Sequence, residues 1–179
     1  KTPLLQLGIL FYLVIAEGIC LEKLPKVYNP VYIFQMGIYL VDVMLQEHDM
    51  IVRKGLKLCA RMLDNIHELL PSVELDIDIY HNFCTNLVKV LLYSPSKRNR
   101  QDTLKVLRSF ILKFDIPGRY LLIKIILTTS KHKGLTGYLT TMYKDMIFES
   151  LVKPSPYISG SNFKILLLNY ICKLENGAQ

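Results

Sequence analysis

The stretch DMIVRKGLKLCARMLDNIHELL, Asp49 to Leu70, constrains the fold more than any other part of the chain. Ile51, Val52, Leu56, Leu58, Cys59, Met62, Leu63, Ile66, Leu69 and Leu70 recur at three- and four-residue steps. One long helix would carry them on a single broad apolar face, with Arg53, Lys54, Lys57, Arg61, Asp64 and Glu68 on the other. Asp49 is the expected N-cap and Pro71 the stop. A face this wide buries against more than one neighbour, because a two-helix seam needs only the narrower heptad stripe. The stretch therefore reads as one helix inside a stacked array.

The rest of the chain repeats that pattern. A nearly all-apolar helix is expected from Thr2 or Pro3 to about Gly18, covered on both sides. After the connection at 21–29, Asn29 caps and Pro30 starts a second helix through Leu45. Beyond the acidic linker SVELD a helix is expected at Asp78 to Tyr93, with Ile79, Phe83, Leu87, Val90 and Leu91 inward. Then come a basic loop, SKRNR, a helix at Gln101 to Phe114, a tight turn at 115–118, and a helix at Arg119 to Thr128. The loop SKHKG precedes a helix at Leu135 to Val152, the proline-rich KPSPYISG breaks it, and a last helix runs from Ser161 to Leu174. No strand is expected, since the alternating ELDIDIY is short and has nothing to pair with.

Two internal similarities support an array. GLKLCARMLDNI from Gly55 lies over TLKVLRSFILKF from Thr103 at an offset of 48, and LVKVLL from Leu87 lies over LIKIIL from Leu122 at an offset of 35. First and second helices of a pair are each repeated. The expected fold is all-α: about eight helices in a HEAT- or armadillo-like stack of antiparallel pairs, an α-solenoid forming a single domain over residues 1–179.

A chain of 179 residues, 51% of them hydrophobic, can bury one sizeable core. Its most apolar run, Leu4 to Ala16, is shorter than the roughly 20 residues that span a bilayer, so no membrane segment is expected. Cysteines at 20, 59, 84 and 172, none in a CxxC pair, suit reduced thiols in a cytosolic or nuclear protein better than a disulfide frame. The opening on Lys1 and the tail ENGAQ suggest a piece of a longer protein.

Residues for catalysis do not converge. His81 and Cys84 stand one turn apart, but no second pair lies near them to complete a metal site. Ser94-Pro-Ser-Lys97 has a serine–lysine spacing yet sits in a loop, and GLTG at 134–137 lacks the Lys-Ser or Lys-Thr of a phosphate loop. No catalytic residue, cofactor or metal is expected, and the chain reads as a non-enzyme.

Charge is the one surface signal. Of the net +7, the segment from Lys97 to Lys133 holds ten basic residues against two acids, so the rest of the chain is nearly neutral. Lys97, Arg98 and Arg100 fall at one junction between helix pairs and Lys131 and Lys133 at the next, where stacking would align them along one edge. Three readings stand: a solvated rim, a surface for a protein partner, and a nucleic-acid site. Against the last, Phe110, Phe114 and Tyr120 fall on core-facing positions and leave no exposed aromatics to stack on bases.

GICLEKLPKVYNPVYIFQMG from Gly18, KGLKL from Lys54, LVKVLLYSP from Leu87 and GRYLLIKIILTTSKHKG from Gly118, in this order and spacing, resemble the glomulin family over almost the whole chain. The resemblance implies a HEAT-like cytoplasmic protein that acts by binding. Glomulin-like proteins clamp the RING-box subunit of cullin–RING ubiquitin ligases, cover the face that recruits the ubiquitin-conjugating enzyme, and associate with FK506-binding immunophilins. The family's RING-contacting surface lies toward its C-terminal half, and no single contact residue carries over. The alternative is a general helical scaffold or adaptor for other proteins.

Overall fold

Asn29 and Pro30 start a helix as their chemistry dictates: the Asn29 side chain accepts from the Val31 N–H at 2.9 Å, and Pro30 occupies the first helical position. That helix is one of eight α-helices in the computed structural model, which describes residues 3–20, 29–158 and 160–171. They are α1 (Pro3–Phe11), α2 (Pro30–Leu45), α3 (Asp49–Asp64), α4 (Asp78–Tyr93), α5 (Lys97–Leu112), α6 (Ile116–Thr129), α7 (Lys133–Val152) and α8 (Ser161–Leu166). π-helical turns extend α1 over Tyr12–Ala16 and α8 over Leu167–Ile171, and a 3₁₀ turn fills Ser72–Asp76. Among the described residues no strand forms, and the fold is all-α as the periodicity implied.

The helices come in pairs. Three residues join α2 to α3, α4 to α5 and α6 to α7, a span so short that each pair must run antiparallel. The chain divides into two compact units: residues 1–70 with 74–113, and residues 71–73 with 114–179.

In the first unit, α2 packs on α3 and α4 on α5, while α2 meets α4 and α3 meets α5. First helix stacks on first and second on second, the arrangement the repeat at offset 48 required. Phe34, Tyr80, Phe83 and Phe110, all buried, form its aromatic centre, with Phe83 edge-on to Phe110 at 5.2 Å between ring centroids. Two amide–carboxylate bonds tie one pair to the next: Asn86 Nδ2 donates to Asp42 Oδ1 at 2.8 Å, and Asn99 Nδ2 donates to Asp49 Oδ1 at 3.1 Å.

In the second unit Asp115 caps α6, accepting from the Gly118 N–H at 2.8 Å and the Ser72 N–H at 3.2 Å. Arg119 bonds the Phe114 carbonyl through Nε and reaches Glu149 of α7 through Nη1 at 3.1 Å. Tyr143 lies stacked with Phe163, and Ile158 and Leu166 close the core.

Five expectations need correction. The helix from Asp49 stops at Asp64 rather than Leu70. Residues 65–70 leave the helix because α5 holds them: Lys113 Nζ donates to the Ile66 carbonyl at 2.6 Å, and the Leu70 N–H donates to the Lys113 carbonyl at 2.8 Å. Ile66 and Leu70 stay buried from that non-helical stretch, while Leu69 is exposed. Asp49 is the first helical residue and His48 the cap position, since the Asp49 carboxylate is turned toward Asn99. The first helix is open on one side, with Leu4, Leu7 and Leu10 each more than 40% exposed. Lys97, Arg98 and Arg100 belong to the first turn of α5, not to a loop, because Ser96 caps the helix at the Asn99 N–H. Likewise Lys133 opens α7 behind the cap His132, whose Nδ1 accepts from the Leu135 N–H. The connection at 21–28, the end of the last helix at Leu174, and Cys172 lie outside the described residues.

Candidate functional site

The five basic residues singled out in sequence fall in two units. Lys97, Arg98 and Arg100 lie on one turn of α5 but do different things. Lys97 is exposed. Arg98 leans along the helix toward Asp102 at 4.0 Å, with its side chain 73% exposed. Arg100 turns back to donate from Nη1 to the Ser94 carbonyl at 2.6 Å and the Pro95 carbonyl at 3.2 Å, so its charge closes the C-terminal end of α4. Lys131 and Lys133, both exposed, flank His132 at the start of α7 in the second unit.

A further cluster of positive charge lies in the first unit and includes residues that periodicity left on a solvent face. Arg53, Lys54 and Lys57 of α3 and Arg98 and Lys105 of α5 line a cleft of about 460 Å³, floored by Leu56, Ala60 and Val106. The offset of 48 that relates the two helices lays Lys57 on Lys105, and this was the available signal. Tyr12, on the π-helical turn, closes one side: Lys54 and Lys57 stand 5.6 and 5.8 Å from its ring centroid.

Two carboxylates temper the cluster. Asp102 sits 4.0 Å from both Arg98 and Lys105, a distance at which exposed ions attract only weakly. Glu17 is seated more closely, accepting from Lys57 Nζ at 2.7 Å and from the Tyr12 hydroxyl. Lys57 first, and Tyr12 second, hold the Glu17 carboxyl below its ordinary range. The same Glu17 contact raises the Tyr12 phenol. Glu17 reaches this seat because the π turn ends at once: Gly18 takes a φ of +73°, open to glycine, and the Ile19 N–H folds back to the Leu13 carbonyl.

Elsewhere the chemistry is sparse. His81 is exposed while Cys84, a turn away, is buried with its thiol pushed up to about 12 by burial. Among the described residues no group of three or more His, Cys, Asp or Glu could hold a metal ion, and no helix is long and apolar enough to cross a membrane.

Repeated antiparallel helix pairs, stacked like on like and carrying a charged cleft on their second helices, define a helical-repeat protein. Residues 6–172 match the family described as "Uncharacterised protein family, YAP/Alf4/glomulin", and the chain belongs to that family. Over 174 residues it is 31% identical to glomulin of Homo sapiens, and over 173 residues 32% identical to glomulin of Mus musculus. Each comparison covers 95% of this chain and 29% of the relative, so the chain spans less than a third of the length of the glomulins it matches.

Proposed function

We propose that this chain is part of a non-catalytic, protein-binding regulator of the cytoplasm. It binds the RING-box subunit of a cullin–RING ubiquitin ligase and blocks recruitment of the ubiquitin-conjugating enzyme. What carries the reading is colinearity with the glomulin family over residues 6–172. The mechanism is steric. Helix pairs locked by buried aromatics and inter-pair amide bonds lose little conformational entropy when a partner docks, so contact area is converted efficiently into affinity. Lys97 and Arg98 in the first unit, and Lys131 and Lys133 in the second, each add exposed charge that speeds association more than it tightens it; Arg100 contributes field alone, its guanidinium being engaged by carbonyls. An FK506-binding immunophilin is a second partner of the same class.

The test is a reconstituted ubiquitination reaction with the full-length protein. Binding of the RING-box subunit together with slowed ubiquitin chain formation is expected. Binding without slowing would make the protein a scaffold, and absence of binding would remove the reading.

A further inference from the structure

The cleft between α3 and α5 shares only Arg98 with the exposed charges assigned to RING-box association; Arg53, Lys54, Lys57 and Lys105 belong to the cleft alone. We propose that it is a docking site for an acidic, glutamate- or aspartate-bearing segment of a protein partner. Three observations point to that occupant.

The first is charge. Five cations converge on the cleft, and two carboxylates, Asp102 in the lining and Glu17 on Lys57, offset only part of that charge. The second is the seat already filled. Glu17 shows what the edge of the cleft accepts: a single carboxylate on Lys57 and Tyr12, presented from the C-cap of the π-helical turn. The third is spacing. Arg53 and Lys57 stand one turn apart on α3, and Arg98 and Lys105 two turns apart on α5, so the cations extend over about 10 Å at ~1.5 Å per residue. Side chains on one face of an extended peptide repeat about every 7 Å, which sets alternate carboxylates of a short acidic stretch against successive cations.

Other anions fit less well. Nucleic acid seeks a free aromatic face, but the Tyr12 ring is taken by Lys54 and Lys57, and no other aromatic lines the cleft. A compact polyphosphate seeks arginine forks and helix N-terminal amides; here three of the five cations are lysines, and the Arg53 guanidinium lies against the Met50 sulfur. Asp102, in the middle of the row, repels a dense multiple charge more than separated single ones.

The experiment is fluorescence anisotropy on the full-length protein at low salt. The probe is a fluorescein-labelled peptide of about a dozen residues with glutamate at alternate positions, beside its glutamine counterpart. The glutamate peptide is expected to bind, to weaken steeply with salt, and to lose at least about tenfold in affinity in an R53E/K54E/K105E triple variant. A triple of equal charge change away from the cleft, R61E/K89E/R108E, is expected to stay within about twofold. Circular dichroism establishes that both variants are folded. No binding at low salt, or equal loss in the two triples, overturns the proposal. So does competition by single-stranded RNA or inositol hexakisphosphate at lower concentration than the unlabelled peptide. RING-box binding measured on the same variants keeps the two readings apart, since either can fail alone.

Discussion

Asn99 joins α5 to α3 by donating through one side-chain amide to both the main-chain carbonyl and the carboxylate of Asp49, each at 3.1 Å. It is 2% exposed and, among the described residues, one of two buried polar ones, the other being Thr103, whose hydroxyl donates to the Asn99 carbonyl at 2.7 Å. The bond fixes the register between the second helices of adjacent pairs, and hence the cleft they form. Asn99→Ala should cost about 1 kcal/mol, because the buried amide's bonds to Asp49 are lost while water replaces the donor on the exposed Asp49. Asn99→Asp should cost more at neutral pH, by setting a second carboxylate on Asp49. That like charge raises the introduced carboxyl's pKa, so the extra penalty is present at neutral pH and relieved as pH falls through the carboxylate range. Urea denaturation of both variants at pH 7 and pH 4 checks this; equal losses at the two pH values would contradict it.

Glycines separate close packing from mere freedom. A Cβ on Gly37 would run into the Met62 sulfur, and Met62 is itself buried, so α2 and α3 approach closely because Gly37 has no side chain. Gly137, exposed on α7, has nothing within 4 Å of its would-be Cβ. Gly37→Ala should therefore destabilise by about 1–3 kcal/mol through overpacking, less the helix-propensity gain. Gly137→Ala should stabilise by about 0.5–1 kcal/mol. Opposite shifts in thermal midpoint are the expected result, and a shared sign would show that the α2–α3 contact yields.

How far the sequence could be read depended on whether an element's boundary is written locally. α2 and α4 were legible to the residue: Asn29 and Pro30 open one, and Ser94 and Pro95 close the other. The end of α3 was not, because Ile66 and Leu70 keep the apolar period while the Lys113 side chain, 47 residues away from Ile66, holds them off the helix. The start of α5 was obscured by its charges: Lys97, Arg98 and Arg100 sit where the helix dipole disfavours cations, and only the Ser96 cap argues for helix there. Periodicity assigns Arg53, Lys54 and Lys57 to solvent. Their convergence with Arg98 and Lys105 exists only once α3 and α5 are side by side.

Asp115 satisfies two amides in the second unit, one on α6 and one before it in sequence. Asp115→Ala should cost about 1–2 kcal/mol and speed hydrogen exchange at the Gly118 and Ser72 amides. Asp115→Asn, which keeps an acceptor, should recover most of the loss. Unchanged exchange at Ser72 in the alanine variant would show that its bond contributes nothing.

Buried ionisable groups set the alkaline limit. Cys59 and Cys84 are fully inside the first unit, and burial raises both thiols, Cys84 to about 12. Tyr80 and Tyr143 are likewise raised to about 12, by burial first and then by Glu74 and Tyr120 respectively. A raised pKa in the fold favours the protonated form, so the contribution is intact below the unfolded thiol value of about 8.5 and is lost as pH climbs past it. Each thiol should remove at most about 1.4 kcal/mol per pH unit, or about 3 kcal/mol for the pair between pH 9 and 10. The tyrosines join only above about pH 10, where unfolded phenols ionise. Unfolding free energies in reductant from pH 7 to 10 should therefore be flat and then fall. The Cys59→Ala/Cys84→Ala variant starts lower through lost packing and should descend less steeply above pH 9. Parallel descent of the two curves would assign the alkaline loss to other groups.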